Sequence, residues 1–321
     1  MTRTTVVTDI PPREWSGRDD GPGPEHLRWH SAVTALAPGD APGACVLVGF
    51  RSDEGVRRNQ GRPGAIRGPV ALRHGLSSLA LPEPVRILDA GDVEVVGGDL
   101  AGAQRRLGGV VSGLLAGGHF VVVLGGGHEV AFGSHLGIAE SGLPGSGVRV
   151  GVLNLDAHFD LRADAAPSSG TPFLQIAEYE AALGRSLNYA VIGVSQASNT
   201  VALFERAASL GVRYLLDERC TAPNLPAVDV FVDEFLHGCD AVHLSLDLDV
   251  LPASVAPGVS APAVFGVPLE VVAHVCESVA RSGKLVLFDV AELSPRFDFD
   301  NRTARTAAWL IHRVVTGRET R

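Results

Sequence analysis

Eight short apolar runs, at Cys45–Phe50, Val85–Leu88, Phe120–Leu124, Val148–Leu155, Tyr189–Val194, Val212–Leu216, Ala241–Leu248 and Lys284–Val290, constrain this chain more than any other feature. Each is followed by Gly, Asp or a polar loop, and then by a longer Ala/Leu/Arg-rich stretch of helical character. Their apolar character is continuous rather than alternating, which is the pattern of strands buried on both faces. The spacing predicts a three-layer α/β fold, a single parallel sheet of about eight strands with helices on both faces. No linker, charge block or repeat interrupts it after about residue 40. Residues 41–321 therefore read as one domain, and residues 1–40, rich in Pro, Gly and charge, as an extension with little core. In open parallel sheets chemistry gathers in the loops leaving the carboxyl ends of strands, so the residues after each run matter most.

Three of those strand ends carry unusual polar sets. Val148–Leu155 runs into Asp156-Ala157-His158-Phe159-Asp160, where Asp, His and Asp recur at a spacing of two. In an extended chain that spacing points all three the same way. Ala241–Leu248 holds Ser245, Asp247 and, just beyond, Asp249 on the same alternation. Phe120–Leu124 leads into Gly125-Gly126-Gly127-His128-Glu129, a glycine turn that delivers a histidine to the same edge. Taken singly, each motif reads equally well as a solvated loop or a turn. Together they place several carboxylates where burial is costly unless a cation neutralises them. The candidate ligands His128, Asp156, His158, Asp160, Asp247 and Asp249 form a mixed oxygen and nitrogen set that suits Mn²⁺ or a similar divalent ion. Two ions sharing carboxylates lower the pKa of a shared water, which makes hydrolysis the natural chemistry.

Composition narrows the partners. Lys+Arg 27 against Asp+Glu 36 gives a net charge of −9, so no general attraction to nucleic acid or an anionic membrane is available. Cys45, Cys220, Cys239 and Cys276 are scattered with no C-x-x-C pair, which argues against thiolate zinc and for a reducing, cytoplasmic setting. Met1–His30 lacks a signal-peptide core, and no later run reaches the length of a membrane span. His243 lies further inside its strand than Asp247 and reads as a buried supporting histidine.

The three motifs, in this order, resemble the metal motifs of the ureohydrolase (arginase/agmatinase) superfamily, and the resemblance covers roughly residues 43 to 315. It implies an arginase-like sheet and two Mn²⁺ per subunit, with His128 and Asp160 on one ion, His158 and Asp249 on the other, and Asp156 and Asp247 bridging. It also implies a homo-oligomer, a trimer or hexamer. Further stretches are Asp53 to Asn59, Gly61-Arg62, Asp160-Leu161-Arg162, Ser168 to Phe173, Ser198-Asn199-Thr200, Leu251-Pro252 and Val259 to Pro262. They resemble the branch that splits N-formimidoyl-L-glutamate into L-glutamate and formamide in histidine degradation. Arginases and agmatinases typically carry a histidine near Ser169 and a further Asp-Pro after the last metal motif, and this chain has neither. The alternatives are another amidino- or guanidino-acid hydrolase that releases urea, and a catalytically idle member acting as a binding subunit.

A small substrate of that kind, an amidine with two carboxylates, needs an anion near the metals and cationic donors farther out. Glu292, after the last run, resembles the family's glutamate that pairs with amidine nitrogens. Arg57, Arg58, Arg62 and Arg162 follow strand ends, and a guanidinium fork matches a carboxylate. Arg162 is best placed, two positions from a candidate ligand. Asn199 and Ser169 join the candidate substrate contacts, although Asn199 also fits a turn. Asp160 and Glu292 are the candidate catalytic residues, Asp160 as the group that passes a proton to the leaving amine.

Overall fold

The computed structural model describes residues 6–319, and among them nine parallel strands form one sheet. The strands are β1 (Val33–Ala35), β2 (Cys45–Arg51), β3 (Ile87–Glu94), β4 (Phe120–Leu124), β5 (Val150–Leu155), β6 (Asn188–Val194), β7 (Arg213–Leu216), β8 (Ala241–Asp247) and β9 (Leu285–Ala291). The helices are α1 (Trp29–Ala32), α2 (Glu54–Arg58), α3 (Gly68–Ser77), α4 (Leu100–Ala116), α5 (Val130–Glu140), α6 (Pro172–Ala182), α7 (Val201–Ser209), α8 (Leu225–His237), α9 (Leu269–Arg281) and α10 (Arg302–Gly317). Among the described residues no helix is long and apolar enough to cross a membrane.

Strand alternation divides the core into two faces. Leu47 and Val122 pack with Leu72 of α3, Val232 of α8, Val275 of α9 and Leu310 of α10. Val46 and Val121 face the other way, onto Leu107 of α4 and Ile138 of α5. Val152 and Val191 continue that second face with Ile176 of α6 and Leu203 of α7. This is the three-layer sandwich that continuous apolar runs demand, because each strand has a hydrophobic layer on both sides.

Strand order is β1-β3-β2-β4-β9-β8-β5-β6-β7. The four strands whose ends carry the candidate site, β4, β9, β8 and β5, are therefore consecutive neighbours at the centre of the sheet. Their pairings fix depth as well as order: Leu155 pairs with Leu246 and Asp247 with Ala291, so Asp156, Asp247 and Glu292 leave the sheet at nearly one level.

Two strands differ from the sequence expectation for a physical reason. β3 begins at Ile87 and runs on to Glu94, through Asp89 and Asp92, where a reading of apolarity stops. Arg73 of α3 makes that continuation possible, with Nε 2.8 Å from Asp89 and Nη1 2.5 Å from Asp92, so both buried carboxylates are neutralised. Trp15 Nε1 adds a hydrogen bond to Asp89 at 2.9 Å. The ninth strand, β1, is only three residues long and pairs along β3 at the sheet edge. Just before it Trp29 is fully buried, and its indole N–H donates to His312 of α10 at 3.0 Å. Replacing Trp29 by Ala should lower unfolding free energy by about 3–5 kcal/mol in denaturant titration, and a loss under about 1 kcal/mol would show that residues around it fold apart from the core.

Candidate functional site

The glycine turn after β4 is shaped by close approach. A Cβ on Gly126 would lie 1.9 Å from the carbonyl oxygen of Ser52, so only glycine fits there. Glu292 N donates to Gly126 O at 2.8 Å, and Gly125 N to Val290 O, which stitches this turn to the end of β9. The turn ends by placing His128 at the head of α5, its ring edge-on to Phe173 with centroids 5.2 Å apart.

His128, Asp156, Asp160 and Asp247 each offer one ligand atom, all within 4.8 Å of one another, and Asp156, His158 and Asp249 form a second such group. Asp156 belongs to both. His128 Nδ1 stands 3.0 Å from Asp160 and Asp247 and 3.1 Å from Asp156, yet makes no hydrogen bond of acceptable geometry. His158 Nδ1 is 3.1 Å from Asp249. Backbone donors hold the acids in place: His158 N–H donates to Asp156 at 2.7 Å and Asp249 N–H to Asp247 at 2.8 Å. An imidazole nitrogen aimed without a hydrogen bond at three carboxylates is a donor atom turned toward a cation position. The hard oxygen majority with two imidazoles fits Mn²⁺.

Among the protein groups alone, burial and then the Asp249 charge push Asp247 up to about 7. Burial and then Asp156 push Asp160 up to about 6. Burial opposes charge on His128, but the carboxylates of Asp156, Asp160 and Asp247 beside it outweigh that and hold the imidazole well above its ordinary value. Asp156 is held low despite its burial, by the neighbouring imidazoles of His128 and His158. Glu292 is raised, by burial first and then by the charges of Asp247 and Glu129. Protons are thus retained where a metal ion would displace them.

Asp160 and Glu292 both have positive φ, +49° and +69°. Such backbone is sparsely populated for non-glycine residues and is held here by the turns on either side. Glu292 Oε1 accepts from His128 N–H at 2.9 Å, while its buried Oε2 has no partner among the described residues.

A cavity of about 340 Å³ opens at this cluster, lined by His128, His158, Asp160, Asp247, Asp249 and Glu292 and also by Asn59, Arg62, Arg162, Ser169, Asn199 and Ser260, of which Arg62 and Arg162 are exposed. Arg62 is anchored by Nε to Ser260 O at 2.8 Å and Nη2 to Val259 O at 2.6 Å, and lies over the Phe297 ring. Arg162 is exposed at the rim with no side-chain partner among the described residues. Arg57 and Arg58 are not among the lining residues; both pair with Glu54, and Arg58 also donates to Pro167 O and Gly98 O. Asn199 lines the cavity, but its oxygen accepts from Phe159 N–H and its amide donates to Ala157 O and Ser195 O, which clamps the ligand-bearing loop. Ser169 accepts from Asn59 Nδ2 at 3.1 Å. Asn59 was not named as a site residue from the sequence, although it closes the Asp53–Asn59 stretch that carries part of the family resemblance.

The sequence model of the arginase family matches residues 43–317. A formimidoylglutamase of Rhodococcus opacus strain B4 is 60% identical over 309 residues, which cover 96% of this chain and 97% of the relative. The crystal structure of a Trypanosoma cruzi formiminoglutamase with Mn²⁺ matches with a TM-score of 0.74 and 27% identity, covering 86% of this chain and 93% of that one. The crystal structure of formimidoylglutamase from Bacillus subtilis gives a TM-score of 0.80 at 21% identity, covering 91% of each chain, which speaks for the fold alone.

Removal of divalent ions should separate a cation site from a coincidental acid cluster. EDTA should lower Tm and Mn²⁺ restore it, with about 2.7 kcal/mol per site when Mn²⁺ stands at roughly 100 times its Kd. Because the folded chain retains protons on Asp247 and Asp160 that unfolding would release, stability of the stripped protein falls as pH rises through about 6 to 7. The raised imidazoles act in the same direction. The gap between the Mn²⁺ and EDTA melting curves should widen from about pH 5 to about pH 8; a constant gap, or none, counts against a cation at this cluster.

Proposed function

The chain belongs to the arginase family, and from that membership together with the cavity we infer that it hydrolyses N-formimidoyl-L-glutamate to L-glutamate and formamide. The observation that carries this reading is that one cavity is lined both by buried acids, Asp247, Asp249 and Glu292, and by the exposed guanidinium groups of Arg62 and Arg162. A cationic amidine meets carboxylates at one end, and the two substrate carboxylates meet guanidinium groups at the other. The 60% identity of a formimidoylglutamase over nearly the whole chain supports the same substrate.

The cofactor is a pair of Mn²⁺ ions, as in the manganese-bound structural relative. His128 and Asp160 would help hold one ion and His158 and Asp249 the other, with Asp156 and Asp247 completing the ligand set. When bound, the pair supplies Lewis acidity and a water acidic enough to act as nucleophile near neutral pH. The remaining work falls to the chain. Glu292, with Oε1 fixed by His128 N–H, turns Oε2 to the amidine N–H and holds the reacting carbon over the floor. Water adds to the formimidoyl carbon, the bond from that carbon to the glutamate nitrogen breaks, and a proton must reach that nitrogen. Asp160, on the cavity floor, takes the proton from the water and delivers it to the leaving amine. Arg162 and Arg62 hold the substrate carboxylates, Asn59 and Ser169 flank them, and Asn199 keeps the 157–159 loop in register. Arg57 and Arg58 act one layer back, through Glu54, on the loop that carries Asn59 and Arg62.

The family match over 43–317 supports residues 41–321 as the body of the catalytic domain, and the segment before it is joined to that body, since β1 pairs along β3 and Trp29 packs in the core. Four free, buried cysteines support a cytoplasmic setting. The net charge of −9 argues against nucleic acid or anionic membrane as a partner, and a trimer or hexamer is the assembly the family resemblance implies.

Purified protein loaded with Mn²⁺ should release L-glutamate and formamide in equal amounts from N-formimidoyl-L-glutamate; release of urea from guanidino acids instead would move the substrate elsewhere in the family. Asp160→Asn should lower kcat by roughly 10²–10⁴-fold, and near-normal turnover in that variant would remove Asp160 from proton transfer. Arg162→Ala should weaken substrate binding by about 1.5–3 kcal/mol, read as a rise in KM of roughly 10–100-fold with kcat much less affected.

A further inference from the structure

Beneath the cavity floor the sheet buries a second set of acid-base groups. His243, Ser245 and Asp289 are all fully inaccessible. Asp289 sits midway along β9, paired in register with Val123 of β4 on one side and Ser245 of β8 on the other. A carboxylate in the centre of a parallel sheet is strongly destabilising unless both oxygens are satisfied. Here they are: Oδ1 accepts from the Ser245 hydroxyl and Oδ2 from His243 Nε2 at 2.7 Å. Burial would raise this acid, but the His243 charge and the two hydrogen bonds outweigh it and keep it below the ordinary carboxylate value.

The direction of each hydrogen bond follows. An ionised carboxylate only accepts, so the single proton of Ser245 Oγ points to Asp289. The same oxygen lies 3.0 Å from His128 Nε2. With its proton already committed, Ser245 can only accept there, so Nε2 must carry the hydrogen. In the neutral imidazole the other nitrogen, Nδ1, is then a bare lone pair, and Nδ1 is the atom that faces Asp156, Asp160 and Asp247. Were the chain wired the other way, Nδ1 would present a hydrogen to those carboxylates and compete with a cation for them.

We propose that Asp289 and Ser245 are positioning residues that set the tautomer of His128, so that its Nδ1 lone pair is directed at the first of the two metal positions. This rests on the assignment of His128 as a ligand. The role is distinct from that of His158, whose Nδ1 approaches the other oxygen of Asp156, Oδ1 at 3.5 Å, in the second ligand group, whereas the Ser245 hydroxyl bonds His128. Loss of the chain should therefore weaken one ion more than the other.

The test measures metal rather than turnover. Mn²⁺ binding by equilibrium dialysis with elemental analysis, alongside electron paramagnetic resonance, is compared for the parent protein, Ser245→Ala and Ser245→Thr. In Ser245→Ala the affinity for one ion should fall roughly 10–100-fold. At Mn²⁺ just sufficient to fill both sites of the parent, the spectrum should change from a spin-coupled pair to an isolated ion. Ser245→Thr, which keeps the hydroxyl, should retain both. Asp289→Asn on the neighbouring strand supplies the same readout should Ser245→Ala fail to fold. Two ions bound with parental affinity by Ser245→Ala overturn the proposal, as does equal loss in the Ala and Thr variants, which would mean packing rather than the hydroxyl matters. If the parent binds no Mn²⁺, the ligand assignment fails as well, and the two failures are told apart by that control.

Discussion

Four carboxylates at the ends of adjoining strands repel one another, and the centre of this molecule is organised around that repulsion. Asp156, Asp247 and Asp249 are almost wholly buried, and Asp160 lines the cavity with Asp247 and Asp249. No hydrophobic gain elsewhere removes the cost of holding such charges together in a low-dielectric site; a counter-charge must be present. The imidazoles of His128 and His158 supply part of it, and the divalent ions of the family supply the rest. Backbone amides at positions 158 and 249 hold two of the acids, Asp156 and Asp247, in their places.

The parallel sheet makes that geometry possible. Neighbouring strands stand about 4.8 Å apart, and β4, β9, β8 and β5 are consecutive. All four point the same way, so side chains leaving their carboxyl ends converge within the span of a small substrate. An antiparallel order would send alternate motifs to opposite edges. Glu292 and Asp160 occupy left-handed backbone positions on two of these strand ends, where the chain must turn sharply while still aiming a carboxylate inward. With the proposed contacts, buried acids and exposed arginines lining one cavity would favour one orientation of a substrate charged oppositely at its two ends.

Much of this could be read along the chain. The apolar runs marked eight of the nine strands, and the residue types in Asp156-Ala157-His158-Phe159-Asp160 marked the acid and imidazole cluster; the expected alternation did not hold, because β5 ends at Leu155 and the segment reaches the cluster through bends with Asp160 in left-handed backbone. Apolarity failed where charges are neutralised from afar: β3 continues through Asp89 and Asp92 because Arg73, from another element, pairs with both. The same blindness applied to the rim. Arg57, Arg58, Arg62 and Arg162 look alike in sequence, yet two are spent on Glu54 and two face the cavity. Asn199 looks like a free amide in sequence, whereas its hydrogen bonds all go to the loop beside it.

The sequence by itself determined which elements form and what chemistry their ends carry, because strand periodicity and ligand type are local properties. It also determined the family, since three spaced motifs survive without any knowledge of distance. Only the tertiary structure decided which strands are neighbours, which nitrogen of His128 faces the acids and which arginines remain available. Those outcomes depend on partners far apart in the chain, 44 residues for Ser245 and Asp289 and 164 for His128 and Glu292, and no local pattern encodes them. A hydrogen bond's direction, in particular, is set by everything its partner already holds, so the tautomer of one histidine is a property of three strands together.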